Sequence, residues 1–284
     1  MGLHDLAEKV GTIDALDGVA KPVADAVKTV IGRGPLKDLL SGTWMGHSLH
    51  PLLTDIPIGS FTSASVLDVL AGRKGRDAAD ILVALGLVAA LPTAAAGLSD
   101  WSDTYGAEQR MGTAHALANT VGLAFYGLSL VHRRRGNRKT GAALSLAGMG
   151  AMTVGGYLGG HLSYSRGVGV NQTFAEEQPG EWTPVIEESA LTDGQPVRVD
   201  AGGASVLVYR QDGRILAIAS RCTHAGGPLE EGEIDKRACT VTCPWHQSEF
   251  RLDDGGVVHG PATVPQPAYE VRVAGGKVEV RRPT

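Results

Sequence analysis

The sequence of 284 residues carries little excess charge, with 26 Lys and Arg against 30 Asp and Glu and a net charge of −4. A balance this even leaves no electrostatic footprint for nucleic acid, and no nucleic-acid partner is expected. Aromatic residues make up only 5%, and cysteine is down to three positions, Cys222, Cys239 and Cys243. The opening MGLHDLAEKV has no apolar run, so no cleavable secretory signal is expected there. The most informative lack is of charge inside four stretches of the first half: 51–71 (PLLTDIPIGSFTSASVLDVLA), 78–98 (AADILVALGLVAALPTAAAGL), 112–132 (GTAHALANTVGLAFYGLSLVH) and 142–162 (AALSLAGMGAMTVGGYLGGHL). Their few acids, Asp55, Asp68 and Asp80, sit toward the ends.

About 20 such residues cross a hydrocarbon core of about 30 Å. Buried helices of a water-soluble bundle would show polar faces, whereas these show mostly Ala, Gly, Ser and Thr. The expected architecture is therefore an all-α four-helix transmembrane bundle over residues 51–165. Gly155, Gly156, Gly159 and Gly160 form two overlapping small-residue pairs suited to close helix approach, and Pro92 is expected to kink the second span. Residues 1–50, with KPVADAVKTVIG, read as an amphipathic segment at the interface or against the bundle. The loops GRKGRD and RRRGNRK carry Arg73, Lys74, Arg76, Arg133, Arg134, Arg135, Arg138 and Lys139. The positive-inside rule puts both in the cytoplasm and the C-terminal domain outside it, in a multi-pass cell-membrane protein.

What the second half does have is SRCTHAGGPLEEGEIDKRACTVTCPWHQSEF, residues 220–250. It holds Cys222-x-His224 and Cys243-x-x-His246, eighteen residues apart. Two thiolates and two imidazoles suit zinc or an iron–sulfur cluster. A zinc finger usually pairs Cys with Cys and His with His, while here each loop pairs one with the other. Two equivalent loops of this kind can clamp a [2Fe–2S] core, two Cys on one iron and two His on the other. The runs VLVYR, ILAIAS, TVTC, YEVRV and KVEV, broken by Gly and Asp, predict a small all-β domain over 183–284, after a Gly-rich linker at 166–182.

CTHAGGPL, VTCPWHQSEF and GPATVPQPAYEVRV resemble the two cluster loops and the proline loop of Rieske ferredoxin domains, over residues 180–284. The resemblance implies a [2Fe–2S] cluster with Cys222 and Cys243 on the inner iron and His224 and His246 on the outer one. Trp245, Ser248, Phe250 and Pro261 would surround it. High-potential members carry two further cysteines joined in a disulfide; Gly226 and Trp245 stand at those positions here, so that bond is not expected. Cys239, in the strand pattern ACTVTC, is expected to be a buried thiol. Ser248 would donate to a sulfide, and Phe250 replaces the Tyr of high-potential members. The potential should therefore fall in the lower half of the range of about −150 to +300 mV. The 38 residues after His246 leave no room for a 2-His-1-carboxylate iron site, so a Rieske oxygenase is not expected.

GTWMGHSLHPLLTDIPIG, LSDW and GGHLSYSRGVGV resemble a bacterial four-span membrane family of unassigned function, over residues 40–170. In an up-and-down bundle His47, His50, His115 and His161 fall at one membrane face, with Asp55, Asp100, Trp101 and Asn119. Three readings stay open: interfacial histidines bonded to loops, a haem b held by two of them, or a quinone or metal pocket. His132, among arginines at the opposite face, needs no special role, and His4 and His259 are expected to be surface residues. The function expected is membrane-associated one-electron transfer between a redox partner protein or the quinone pool and the cluster, in contact with lipid. The alternatives are an iron–sulfur redox sensor and a quinol-oxidising enzyme subunit.

Overall fold

The computed structural model describes residues 2–283. They form two compact units: the chain up to Gly32 joins Leu49–Val168, and Arg33–Ser48 joins the chain from Gly169 onward.

The first unit is helical, with α1 (Leu3–Gly11) and α2 (Asp17–Ile31) against four long helices. These are α4 (Leu49–Leu70), α5 (Arg76–Ser102), α6 (Gly106–Arg134) and α7 (Arg138–Tyr164), α3 (Pro35–Ser41) lying in the other unit. Short turns at 71–75, 103–105 and 135–137 join them, so α4 packs on α5 and α6 on α7. At about 1.5 Å per residue a helix of this length outreaches a hydrocarbon core of about 30 Å. Among the described residues three helices, α5, α6 and α7, are long and apolar enough to cross a membrane; α4, with Asp55 and Asp68 in it, is not one of them.

The distribution of side chains is inverted relative to a water-soluble bundle. Ser60, Ser65, Thr93, Ser99, Ser129 and Ser145 are buried, while Ile81, Val88, Leu91 and Val154 are exposed. Only 28% of the apolar windows of α5 and α7, and 17% of that of α6, is covered by protein. An apolar surface this extensive suits lipid and would be a liability in water. Close packing comes from glycine: a Cβ at Gly86 would lie 2.5 Å from the Phe61 ring, and one at Gly122 2.5 Å from Met152. Of the two small-residue pairs in α7 only Gly155 and Gly159 meet a neighbouring helix, at Asn119 and His115; Gly156 and Gly160 meet none. Helix α5 continues through Pro92.

One cation is held inside this unit. Arg133 is buried and donates to Asp68, to Asp80 at 3.1 Å, to Ser129 Oγ at 2.9 Å and to Ser145 Oγ at 3.0 Å. Arg138 binds the same Asp80 at 2.8 Å. Two of the eight basic loop residues thus neutralise the acids at the span ends. A buried charge with every donor engaged is tolerated; the acids left behind by its removal are not.

The second unit is built from three small antiparallel sheets. One holds β1 (Thr183–Glu187), β10 (Lys277–Arg281) and β9 (Glu270–Ala274), in that order. The next holds β2 (Val197–Ala201), β3 (Ala204–Gln211) and β4 (Arg214–Ala219). The last holds β5 (Glu233–Asp235), β6 (Thr240–Thr242), β7 (Glu249–Arg251) and β8 (Val257–His259). Alternation along β3 sends Val206 and Val208 to one core, with Val278 and Val280, and Leu207 and Tyr209 to a second, with Cys222, Cys243 and Phe250. The expected linker is packed from Gly169 on: Gln172 N donates to Thr223 O at 3.0 Å, and Arg282 N to Pro179 O at 2.8 Å.

Replacing Arg133 by Ala should cost the helical unit about 3–5 kcal/mol, because the buried Asp68 is left without its guanidinium while Asp80 keeps Arg138. Thermal unfolding in mild detergent measures it; an unchanged transition would show that the network contributes nothing.

Candidate metal centre

The two Cys-His loops have the same backbone construction. In the first, Cys222 N donates to Gly227 O at 2.9 Å and Gly226 N to Cys222 O at 2.8 Å. In the second, Cys243 N donates to Ser248 O at 2.8 Å and Gln247 N to Cys243 O at 3.0 Å. Each turn therefore closes over four and five residues from its cysteine, and each needs a left-handed residue at the fourth: Gly226 at φ +80° and Gln247 at φ +67°. Glycine adopts that conformation freely, whereas Gln247 is held in it by the hairpin around it. That hairpin is β6 and β7, in register at Thr242 and Glu249 on either side of the loop.

This construction sorts the four side chains by depth. Cys222 and Cys243 are 1% exposed, and their thiols hydrogen-bond each other. That bond pushes the Cys222 thiol up and lowers that of Cys243 to about 7. Backbone amides of His224 and Ala225 point at the first sulfur, and those of Trp245, His246 and Gln247 at the second. His224 and His246 lie nearer the surface, their rings 5.0 Å apart and nearly perpendicular. The exposed Trp245 stands 6.4 Å from His246, also edge-on. Gly227 permits the approach, since a Cβ there would lie 2.8 Å from Cys243 Sγ and 3.1 Å from the Trp245 ring.

The donor set fits a [2Fe–2S] cluster: two buried thiols ringed by amides, which favour thiolate sulfur, and two imidazoles on the outer side. A further loop closes over it. Ala262 N donates to Ser248 Oγ at 2.9 Å, which leaves the Ser248 hydroxyl proton for another acceptor. Thr223 Oγ1 donates to Val264 O at 2.8 Å, so the loop bearing Pro261 is tied to both Cys-His loops. Phe250 is fully buried in the core that also holds Cys222 and Cys243. Cys239 departs from expectation: it lies in a turn before β6, at φ +54° and half-buried, and burial pushes its thiol up.

Two residues that the sequence did not single out hold this loop from outside. Asp38 accepts from Gly260 N at 2.7 Å and pairs with His259 Nδ1 at 2.9 Å. Thr43 Oγ1 donates to Ala262 O at 3.1 Å. More than 200 residues separate the partners, so no local pattern could have revealed them. His259 is at the surface, as expected, and also anchors residues 33–48.

The structure separates the four bundle histidines. His50 and His115 come together, rings 6.4 Å apart. His50 Nδ1 is 2.9 Å from Thr93 O and His115 Nδ1 is 2.7 Å from Gly155 O, with Gly97 and Gly159 leaving room for the rings. Asn119 Nδ2 lies 3.2 Å from His115 Nε2. His161 turns instead to Glu8, and His47 bonds Ser48 O at 3.0 Å within the second unit. Trp101 donates to Gln109 O at 2.9 Å and packs against Gly112.

Gly227→Ala should abolish cluster loading while the domain still folds, as read by the visible spectrum; normal loading would mean that Trp245 moves away freely. Asp38→Ala should leave Gly260 N–H unpaired and cost about 1–3 kcal/mol, seen in unfolding of the cluster domain. An unchanged midpoint there would mean that residues 33–48 are not needed to hold the loop.

Two family descriptions match the chain: the Rieske [2Fe-2S] domain over residues 181–270, and Predicted membrane protein (DUF2231) over residues 46–172. The 3-phenylpropionate/cinnamic acid dioxygenase ferredoxin subunit of Escherichia coli (strain K12) is 33% identical over 93 residues, 33% of this chain and 86% of that protein. The anthranilate 1,2-dioxygenase ferredoxin subunit of Burkholderia cepacia is 31% identical over 107 residues, 38% and 97% of the two chains. Among solved structures, the ferredoxin of carbazole 1,9a-dioxygenase from Nocardioides aromaticivorans IC177 is 28% identical, covering 37% of this chain and 100% of its own, with a TM-score of 0.35. Two matching turns, a buried thiol pair, an outer imidazole pair and ferredoxin relatives matched over nearly their whole length agree: the chain belongs to the Rieske [2Fe-2S] family, its Rieske domain joined to a domain of the DUF2231 membrane family.

Proposed function

We propose that this protein is a membrane-held one-electron carrier, with Cys222 and Cys243 on the inner iron and His224 and His246 on the outer iron of a [2Fe–2S] cluster. The observation that carries this is the depth sorting: two turns with the same backbone bonds bury the thiols and leave both imidazoles nearer the surface. When bound, such a cluster supplies a one-electron couple. The chain's own part is to hold that couple in fixed geometry. Amides at residues 224, 225 and 245–247 stabilise negative charge on sulfur, and the Ser248 hydroxyl is placed to add one more donor. Phe250 brings no donor, which favours the lower half of the Rieske range. His224, His246 and the exposed Trp245 form the surface through which a partner protein would exchange the electron. The relatives are ferredoxin subunits of dioxygenases, which supports a protein partner over a small-molecule one.

Orientation follows from the loops. With Arg133 turned inward and Arg138 on Asp80, the basic bias still rests on Arg73, Lys74, Arg76, Arg134, Arg135 and Lys139. Both loops are then cytoplasmic and the Rieske domain extracytoplasmic. A second reading, a relay through a haem b on the helical unit, is favoured by one observation. His50 and His115 both spend Nδ1 on a backbone carbonyl, the outer bond that orients ligating histidines; on His115 the Asn119 amide, 3.2 Å from Nε2, would turn away for that nitrogen to ligate.

Cys222→Ser and His246→Ala should each lose iron and sulfide together and destabilise the cluster domain, in iron and sulfide assays and in unfolding. Zinc in place of iron in the parent protein would refute the carrier. In a Cys239→Ser background, Tyr105→Cys should label from outside intact cells and Asn137→Cys should not; the opposite pattern reverses the orientation. A sharp α band on reduction, lost in His115→Ala and kept in His161→Ala, is expected for the haem reading. Its absence after expression with haem precursor would leave the helical unit an anchor.

A further inference from the structure

We propose that His4, Glu8 and His161 form a binding site for a divalent transition-metal ion of the zinc class, built wholly from the helical unit and distinct from the cluster ligands. The three offer two imidazole nitrogens and a carboxylate oxygen, all within 4.8 Å of one another. An ion with bonds of about 2.0–2.2 Å holds its ligand atoms at most about 4 Å apart, a gap that a small rotation of the exposed His4 ring closes. The positions are fixed by helix geometry. His4 and Glu8 are four residues apart on α1 and share a face. His161, in the last turn of α7 and 6% exposed, presents its ring to them, 5.1 Å from that of His4. Its Nε2 already lies 2.7 Å from Glu8 Oε1. An ion between these atoms replaces that hydrogen bond by two metal–ligand bonds, the Nε2 proton of His161 moving to Nδ1 or leaving to solvent as the ion enters.

The electrostatics permit a cation despite Arg166. That guanidinium grips Glu8 Oε2 and reaches Oε1 from Nε at 3.2 Å, and it also binds Glu108 at 3.0 Å. Two carboxylates against one guanidinium leave the cluster net negative before a dication enters. Arg166 then serves as the outer partner that fixes a ligating carboxylate, its contact to Oε1 being the one that weakens. Two nitrogens and one oxygen suit Zn(II), Co(II), Fe(II) or Mn(II) and disfavour the all-oxygen ions Ca(II) and Mg(II). Three protein ligands leave at least one position open.

The experiment titrates Co(II) into full-length, cluster-loaded protein that has first been stripped of loosely bound metal. One equivalent should bind, with a ligand-field absorption separable from the cluster spectrum by difference. His4→Ala, at an exposed position where folding is not at stake, and Glu8→Gln should each weaken binding tenfold or more, while the cluster EPR signal is unchanged. Zn(II) should compete with Co(II) for the same equivalent. No saturable binding by the parent protein overturns the proposal. So does binding that survives both variants, or binding that is lost in Cys222→Ser but kept in His4→Ala.

Discussion

The second unit depends on two backbone turns being kept in register. Each closes on its cysteine through one amide and one carbonyl, and each turns at a left-handed residue, Gly226 or Gln247. Those bonds decide which side chains are buried. They point the Cys222 and Cys243 sulfurs into a core with Leu207, Val241 and Phe250, and leave His224 and His246 at the rim. The contacts around them brace the turns: the β6–β7 hairpin carries the second, the Thr223 and Ser248 bonds tie both to the proline-bearing loop, and Asp38 and Thr43 hold that loop in turn. A rigid scaffold of this kind suits electron transfer, where the ligands should change position little between oxidation states.

The helical unit solves a different problem. Its long helices turn many apolar side chains outward, and between them glycine, hydroxyl groups and a buried guanidinium add to the packed Phe61, Val83 and Tyr126. In lipid, where apolar burial gives little drive between helices, close contacts and polar bonds are what remain. The same small residues that let helices approach, Gly97, Gly155 and Gly159, are those that admit the imidazoles of His50 and His115 and the amide of Asn119. Packing and the candidate ligand pair are therefore one feature of the sequence.

Local chemistry was legible in the sequence and long-range pairing was not. The Cys-His spacing, the proline-rich loop and the strand runs identify the cluster domain because each is written within a few residues. The long helices are legible for the same reason, although Asp55 and Asp68 set α4 apart from α5, α6 and α7. Asp38 and Thr43 carry no signal of their own; their partners at 259–262 are found only through the fold. The bundle histidines share an expected depth, and depth alone does not reveal that His161 meets Glu8 while His50 meets His115. Arg133 read as a loop cation because charge at a span end usually faces water, and only the paired acids Asp68 and Asp80 turn it inward.

The most direct test of the carrier is an EPR-monitored redox titration of the full-length protein in mild detergent. One reversible one-electron couple is expected, from a [2Fe–2S] centre with the low average g of mixed Cys and His ligation, at a midpoint in the lower half of the range of about −150 to +300 mV. A protein that takes up no electron in that window, or whose reduced centre shows the signature of all-cysteine ligation, would contradict it.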